Sequence, residues 1–176
     1  MIACVDVDYR DAGVVSACVC FEHWDDGTPV VLESAIEIRD VKPYEPGQFY
    51  RRELPCILAV LQTLLTLPQV VIIDGYVWLG EQRHGLGAHL YEALDERAVV
   101  IGVAKTRFVG AEPVALVTRG GSCTPLYVTA EGLDVTEAAR HIRTMHGNHR
   151  IPTMLKRADQ LSRRHLPSKS PGVADA

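Results

Sequence analysis

The chain has 176 residues, 47% of them hydrophobic and 23% charged, with a formal net charge of −4. That balance predicts one folded domain with a sizeable core and argues against global disorder. It excludes a helical membrane span: Gln62, Pro68, Asp74 and Gly75 interrupt the apolar runs well short of the ~20 residues a bilayer needs.

Met1 leads into a strand-like run with neither the basic nor the apolar region of a secretory signal. Five cysteines form no CxxC pair, and this odd count lying in apolar segments predicts reduced, buried thiols in a cytosolic (cytoplasmic) protein. Charge is unevenly spread. Residues 1–139 carry 10 Lys/Arg against 20 Asp/Glu, whereas residues 140–176 carry 8 against 2. A basic end on an acidic body serves equally as a solvated helix face or as a phosphate-contacting surface.

Three strand-like runs open the chain, IACVDVDYR, GVVSACVCF and PVVLESAIEI. Short connections, one with an Asp-Gly turn signal, predict an antiparallel meander. Residues 49–66 carry Leu54, Ile57, Leu58, Leu61, Leu64 and Leu65 at helical spacing. Pro55 is expected in the first turn, and Pro68 ends the helix. VVIID (70–74) and VVIGVAK (99–105) read as strands buried on both faces, separated by a glycine-rich loop and a helix over 84–96. A strand pair flanks Gly120-Gly121, and helices are predicted at 134–145 and 152–165. Residues 1–166 read as a single domain and 167–176 as a frayed tail. The order predicts an α/β fold, one mixed sheet with helices on both faces, as in ribonuclease H-like proteins.

Asp6 lies inside an apolar strand, where alternation places it on the face of Ile2 and Cys4. A carboxylate there must be paired, hydrogen-bonded or metal-bound. Asp74 ends the next buried strand before Gly75, a position that suits either chemistry beyond a strand end or a simple turn cap. Glu53, near the start of the first helix, is served equally by the helix dipole. Asp159 has Arg163 four residues on as an intrahelical partner. Taken together, a first-strand Asp, a helix-start Glu and a following strand-end Asp can converge at one sheet edge and hold Mg²⁺ or Mn²⁺. No cysteine–histidine cluster invites zinc.

At this point the sequence resembles the endonuclease V family, which cleaves nucleic acid near inosine. The resemblance runs through VDVDY (5–9), PYEPGQFYRRELP (43–55), VVIIDG (70–75), GLGAHL (85–90), IGVAK (101–105), YVTAEGLDVTEA (127–138) and RIPTMLKRAD (150–159). The interval of nine from Tyr44 to Glu53 and of 21 from Glu53 to Asp74 are its most discriminating features. The resemblance implies that Asp6, Glu53 and Asp74 bind the catalytic Mg²⁺, with Mn²⁺ as substitute. It further implies that Asp159 sits near the metal site and that Lys105 lies near the scissile phosphate. Pro43, Tyr44, Glu45 and Pro46 match a strand-separating wedge whose tyrosine stacks on an unpaired base. Gly47 matches a close backbone approach to the extruded base, and Gly75 is grouped with it as base-binding. The implied substrate is DNA or RNA containing inosine, cut on its 3′ side at the second bond to leave 3′-hydroxyl and 5′-phosphate ends, and the expected state is a monomer away from membranes.

The sequence departs from the family in places. DGYVWLGEQRHG replaces a glycine- and histidine-containing stretch running into Pro-Arg, and YVTAEG lacks a common glycine–histidine pair. The chain also opens almost at its first strand, without the helical segment that precedes it in longer members. His84 and His89 are assistants to the reaction or surface histidines. Two further readings follow: a nuclease with the same metal acids but a trigger other than inosine, such as mismatches or branched structures, and a non-catalytic nucleic-acid-binding member of the fold.

Overall fold

A computed structural model describes residues 1–10, 13–28, 32–39, 48, 50–111 and 113–164. Seven strands form one sheet: β1 (Ile2–Arg10), β2 (Gly13–Phe21), β3 (Leu32–Ile38), β4 (Val70–Ile73), β5 (Val99–Ala104), β6 (Ala115–Val117) and β7 (Leu126–Glu131), in the order β3-β2-β1-β4-β5-β7-β6. The first three make the antiparallel meander expected from their short connections. β4 inserts parallel to both β1 and β5, at the centre of the sheet. That position explains its unbroken apolar sequence: Val71, Ile72 and Ile73 are buried, with neighbours above, below and on both sides.

The helices are α1 (Tyr50–Leu61), α2 (Leu86–Ala93), α3 (Val135–Thr144) and α4 (Thr153–Ser162). On one face Ile57, Val60 and Leu61 of α1 and Ala88 and Leu90 of α2 pack on Ala3, Val5, Val71 and Ile73. On the other, Ala138 and Ile142 of α3 and Met154, Leu155 and Ala158 of α4 pack on Cys4, Val19, Ile72 and Ile101. Each central strand therefore feeds two cores with alternate residues. In β7, Leu126 and Val128 join the core under α3 and α4, while Thr129 and Glu131 bond to Val77 and Trp78 of the other core.

Two local expectations are corrected. The first helix starts at Tyr50, so Pro55 lies inside it rather than in its first turn, where its ring removes one intrahelical hydrogen bond. It also ends at Leu61 instead of running to 66. Thr63 and Leu64 donate to Val60 and Leu61 over i→i+3 bonds, and the Thr63 hydroxyl donates to the Val60 carbonyl at 2.7 Å. That side-chain bond competes with helix continuation and leaves Leu65 fully exposed. Four of the cysteines are buried and free, as expected, but Cys123 is exposed. Among the described residues, no helix is long and apolar enough to cross a membrane.

Candidate active site

The register of the central strands sets the site. Val5 of β1 pairs with Ile73 of β4, and the next residue in each strand direction is an acid, Asp6 and Asp74. Two carboxylates thus leave neighbouring parallel strands at the same level. Cys4 and Ile72 belong to the core under α4, while Val5 and Ile73 belong to the core under α1. Alternation carries Asp6 and Asp74 to the α4 side. Lys105 follows β5 by the same rule, two residues beyond Val103, which also packs on the α4 side.

On that side the acids have protein partners. Ser162, the last residue of α4, donates its hydroxyl to Asp6 Oδ2 at 2.6 Å. Ser162 is itself held by Arg10, whose guanidinium donates to the Ser162 and Arg164 carbonyls and to Asp8. The Lys105 ammonium forms a short ion pair with Asp74. Arg150 donates to the backbone carbonyls of Lys105 and Pro125, tying down the chain that carries the lysine. A cleft of ≈ 300 Å³ opens between these elements, lined by Asp6, Asp74, Lys105 and Asp159 together with His149, Arg150 and Lys156. Burial raises the Asp6 pKa; the Ser162 hydrogen bond opposes this, and Asp159 and Asp74 add to it. Burial alone would depress Lys105, but its bond to Asp74 and the surrounding acids outweigh that and hold it protonated above its ordinary range.

Glu53 reaches the same edge from the other face. It projects from the first turn of α1 into a hollow of ≈ 280 Å³ that shares Val5, Asp6 and Asp74 with the cleft. Its side chain is buried, and Oε2 has no hydrogen-bond partner among the described residues. Burial, then the charges of Asp6 and Asp74, push its pKa up to about 8; Arg52 opposes this weakly. A buried carboxylate without a partner is destabilising by a few kcal/mol. Three carboxylates converging from β1, β4 and α1, one with an unsatisfied oxygen, suit a hard divalent cation, for which oxygen donors are preferred.

Beyond Asp74 the chain turns sharply. Gly75 has φ +144°, a conformation that side chains disfavour. Gly102 of β5 makes room for the turn: a Cβ there would lie 2.6 Å from the Gly75 carbonyl and 2.8 Å from Thr129 Oγ1. The Thr129 hydroxyl accepts from Val77 N–H at 2.8 Å, fixing the exit of the loop.

A family model for endonuclease V matches residues 1–132. The chain belongs to the endonuclease V family. The endonuclease V of Streptomyces avermitilis is 33% identical over 186 residues, covering 92% of this chain and 79% of that protein. A solved endonuclease V structure from the same organism superposes with TM-score 0.74 at 28% identity, over 92% of this chain and 79% of that one. The Ciona intestinalis endonuclease V, solved with a 23mer DNA containing an inosine followed by a ribo-adenosine, has the same fold at 20% identity, with TM-score 0.78 and coverage of 92% and 83%. As an endonuclease V homologue the chain is a nuclease, a hydrolase of phosphodiester bonds in nucleic acid, and its family is metal-dependent.

Against the endonuclease V pattern, the structure brings Asp6, Glu53, Asp74, Lys105 and Asp159 to one sheet edge. Asp159 does two things there: it lines the cleft and pairs with Arg163 at 2.8 Å, the intrahelical partner its spacing indicates. Pro43, Tyr44, Glu45, Pro46 and Gly47 lie outside the described residues. The loop that departs from the family is tied down by its own substitutions. Tyr76 donates to the Thr106 carbonyl and accepts from Phe108 N–H, and Trp78 donates to Glu131 at 2.6 Å. Sequence reasoning missed Ser162, Arg10, Arg150 and Gly102. Gly102 had a signal, a glycine inside a buried strand; Ser162 had a weaker one, its place three residues after Asp159 on the same helix.

Proposed function

We propose that this endonuclease V homologue hydrolyses a phosphodiester bond on the 3′ side of inosine in DNA or RNA, using Mg²⁺, with Mn²⁺ as substitute, held by Asp6, Glu53 and Asp74. What supports the metal reading is the buried Glu53 oxygen, without a partner among the described residues and facing two further carboxylates. What supports the substrate is family membership and the inosine-containing DNA bound by the Ciona relative. Residues 1–166 are read as one nuclease domain with 167–176 as its tail, acting as a monomer.

Hydrolysis forms a bond from a water oxygen to phosphorus and breaks the bond from phosphorus to the 3′ oxygen, which leaves as a hydroxyl. Bound divalent ions would supply positive charge that activates the water and stabilises the departing oxygen. Lys105, kept protonated by its acidic neighbours, offsets negative charge on the phosphate. Asp74 and the Arg150 anchor hold that lysine at the strand end, and Ser162 fixes the rotamer of Asp6. Arg150 and Lys156 extend positive charge along the cleft for the flanking backbone, which gives the basic C-terminal end a phosphate-facing part. Asp159 adjoins the metal acids. Gly75 and Gly47 give backbone access to the base, and Tyr44, between Pro43 and Pro46, stacks beside it.

Cleavage of end-labelled oligonucleotides with one inosine or its parent base tests the reading. DNA and RNA, single- and double-stranded, would be compared with Mg²⁺, Mn²⁺ or EDTA. Metal-dependent nicking 3′ to inosine is expected, with Tyr44→Ala losing preference for inosine more than cleavage itself. Nicking that ignores inosine would refute the substrate assignment; binding without cleavage would refute the enzymatic one.

A further inference from the structure

A second group of ligand-type side chains meets at the start of α2. His84, His89 and Glu92 each present a ligand atom within 4.8 Å of the other two. The Glu92 carboxylate lies 3.3 Å from His84 Nδ1 and 3.7 Å from His89 Nδ1. None of the three lines the hollows around Asp6 and Asp74. We propose that His84, His89 and Glu92 form a binding site for a borderline transition-metal ion, Zn²⁺ foremost, separate from the carboxylate site.

The backbone assembles the group. His89 and Glu92 are three residues apart on α2 and so share a face of the helix. His84 precedes the helix and is returned to that face by a β-bridge with Trp78 and by the Gly85 N–H bond to the Val77 carbonyl. Zinc holds nitrogen and oxygen ligands at 2.0–2.2 Å, so a tetrahedral set spaces its donors ~3.3–3.6 Å apart. The two contacts of Glu92 are already near that spacing, and side-chain rotation of about 1 Å closes the remainder.

The rings are held in place for this. His89 stacks on Tyr50 with centroids 3.8 Å apart, and His84 and Trp78 meet nearly perpendicular with centroids 4.7 Å apart. Trp78 is in turn fixed to Glu131. Burial, then His84, lowers the pKa of His89, which favours the neutral imidazole that a metal requires. Two histidines side by side would repel once protonated, whereas a shared cation turns the same arrangement to advantage. The Glu92 side chain is 55% exposed, so the ion has an entry path and water completes its shell. Two imidazoles with one carboxylate select zinc and its neighbours over magnesium, which prefers oxygen alone. Such an ion would clamp the 78–84 loop to α2 and, through Tyr50, to the first turn of α1.

Zinc uptake by the full chain, measured by equilibrium dialysis in excess Mg²⁺ and without nucleic acid, tests this independently of the substrate reading. Asp74→Asn should still take up about one Zn²⁺ with wild-type affinity. His84→Phe and Glu92→Gln should each weaken uptake by more than about 100-fold, because even changes to the partners of a ligand cost about 10–100-fold. Co²⁺ in place of zinc should give the visible absorption of a four-coordinate ion in Asp74→Asn and not in Glu92→Gln. If His84→Phe fails to fold, Glu92→Gln carries the comparison alone. Uptake that survives both His84→Phe and Glu92→Gln, or that vanishes only in Asp74→Asn, overturns the proposal.

Discussion

On the α4 flank of the catalytic edge, each acid meets a side chain of its own protein: Asp6 accepts from Ser162, Asp74 from Lys105 and Asp159 from Arg163. On the α1 flank Glu53 meets no such group at Oε2 among the described residues and is buried against Asp6 and Asp74. Among the described residues every acid of the first flank has a protein partner, and on the metal reading proposed above a bound cation would complete the second. Stability and catalysis therefore make opposite demands on Glu53, as is common where a site holds strain for function. The best-satisfied acids are steered by protein partners; the least satisfied is the one at which the proposed cation would gain most.

Substitutions that remove charge from the edge sharpen this contrast. Asp74→Ala removes both a proposed metal donor and the partner of Lys105, so cleavage should fall by about a thousandfold or more, the equivalent of several kcal/mol. Lys105→Met leaves all three acids in place and should cost about 100-fold in cleavage rate, with metal affinity little changed. Single-turnover kinetics and metal titrations separate these two cases.

Glu53→Gln should do the reverse to stability. Its folded pKa, about 8, stands above the ordinary 4.5, so below 4.5 the group is protonated in both states and exerts no penalty. Between 4.5 and 8 the unfolded chain releases the proton first, and the fold loses stability as pH rises; above 8 the penalty is constant. In EDTA, Glu53→Gln should therefore raise the melting temperature at pH 8 by the equivalent of at most a few kcal/mol, and should flatten its decline with pH, while abolishing cleavage. A steeper decline in the variant would break the contrast drawn between the flanks. The smallest effect is expected from Ser162→Ala: about 1 kcal/mol from one hydrogen bond, read as a rate loss of less than about tenfold.

Much of the fold was legible in the sequence because its signals are local. Strand-like runs with short connections marked the meander and unbroken apolar runs marked β4 and β5, whereas Pro68, expected to end the first helix, lies beyond its observed end at Leu61. The acids of the site were legible only jointly, since each has an ordinary structural use and Asp159 has one even in the folded protein. What escaped depends on contacts between distant segments. Ser162 finds Asp6 across 156 positions, and nothing near either residue encodes the other. Pro55 was misplaced because the helix begins before the arginine pair, at Tyr50, whose ring rests on His89 of another helix. Likewise Trp78 reads as unexplained bulk until Glu131, on β7, is seen to accept its N–H.

The pairing of Val5 with Ile73 at the centre of the sheet has a kinetic meaning as well as a geometric one. The amides beside Asp6 and Asp74 belong to strands with hydrogen-bonded neighbours on both sides, and such positions commonly exchange with heavy water only when the whole molecule opens. Local breathing of loops or helix ends then leaves the spacing of the two strand acids untouched. Heat inactivation of this enzyme should track global unfolding, with no earlier step in which a folded but silent species accumulates.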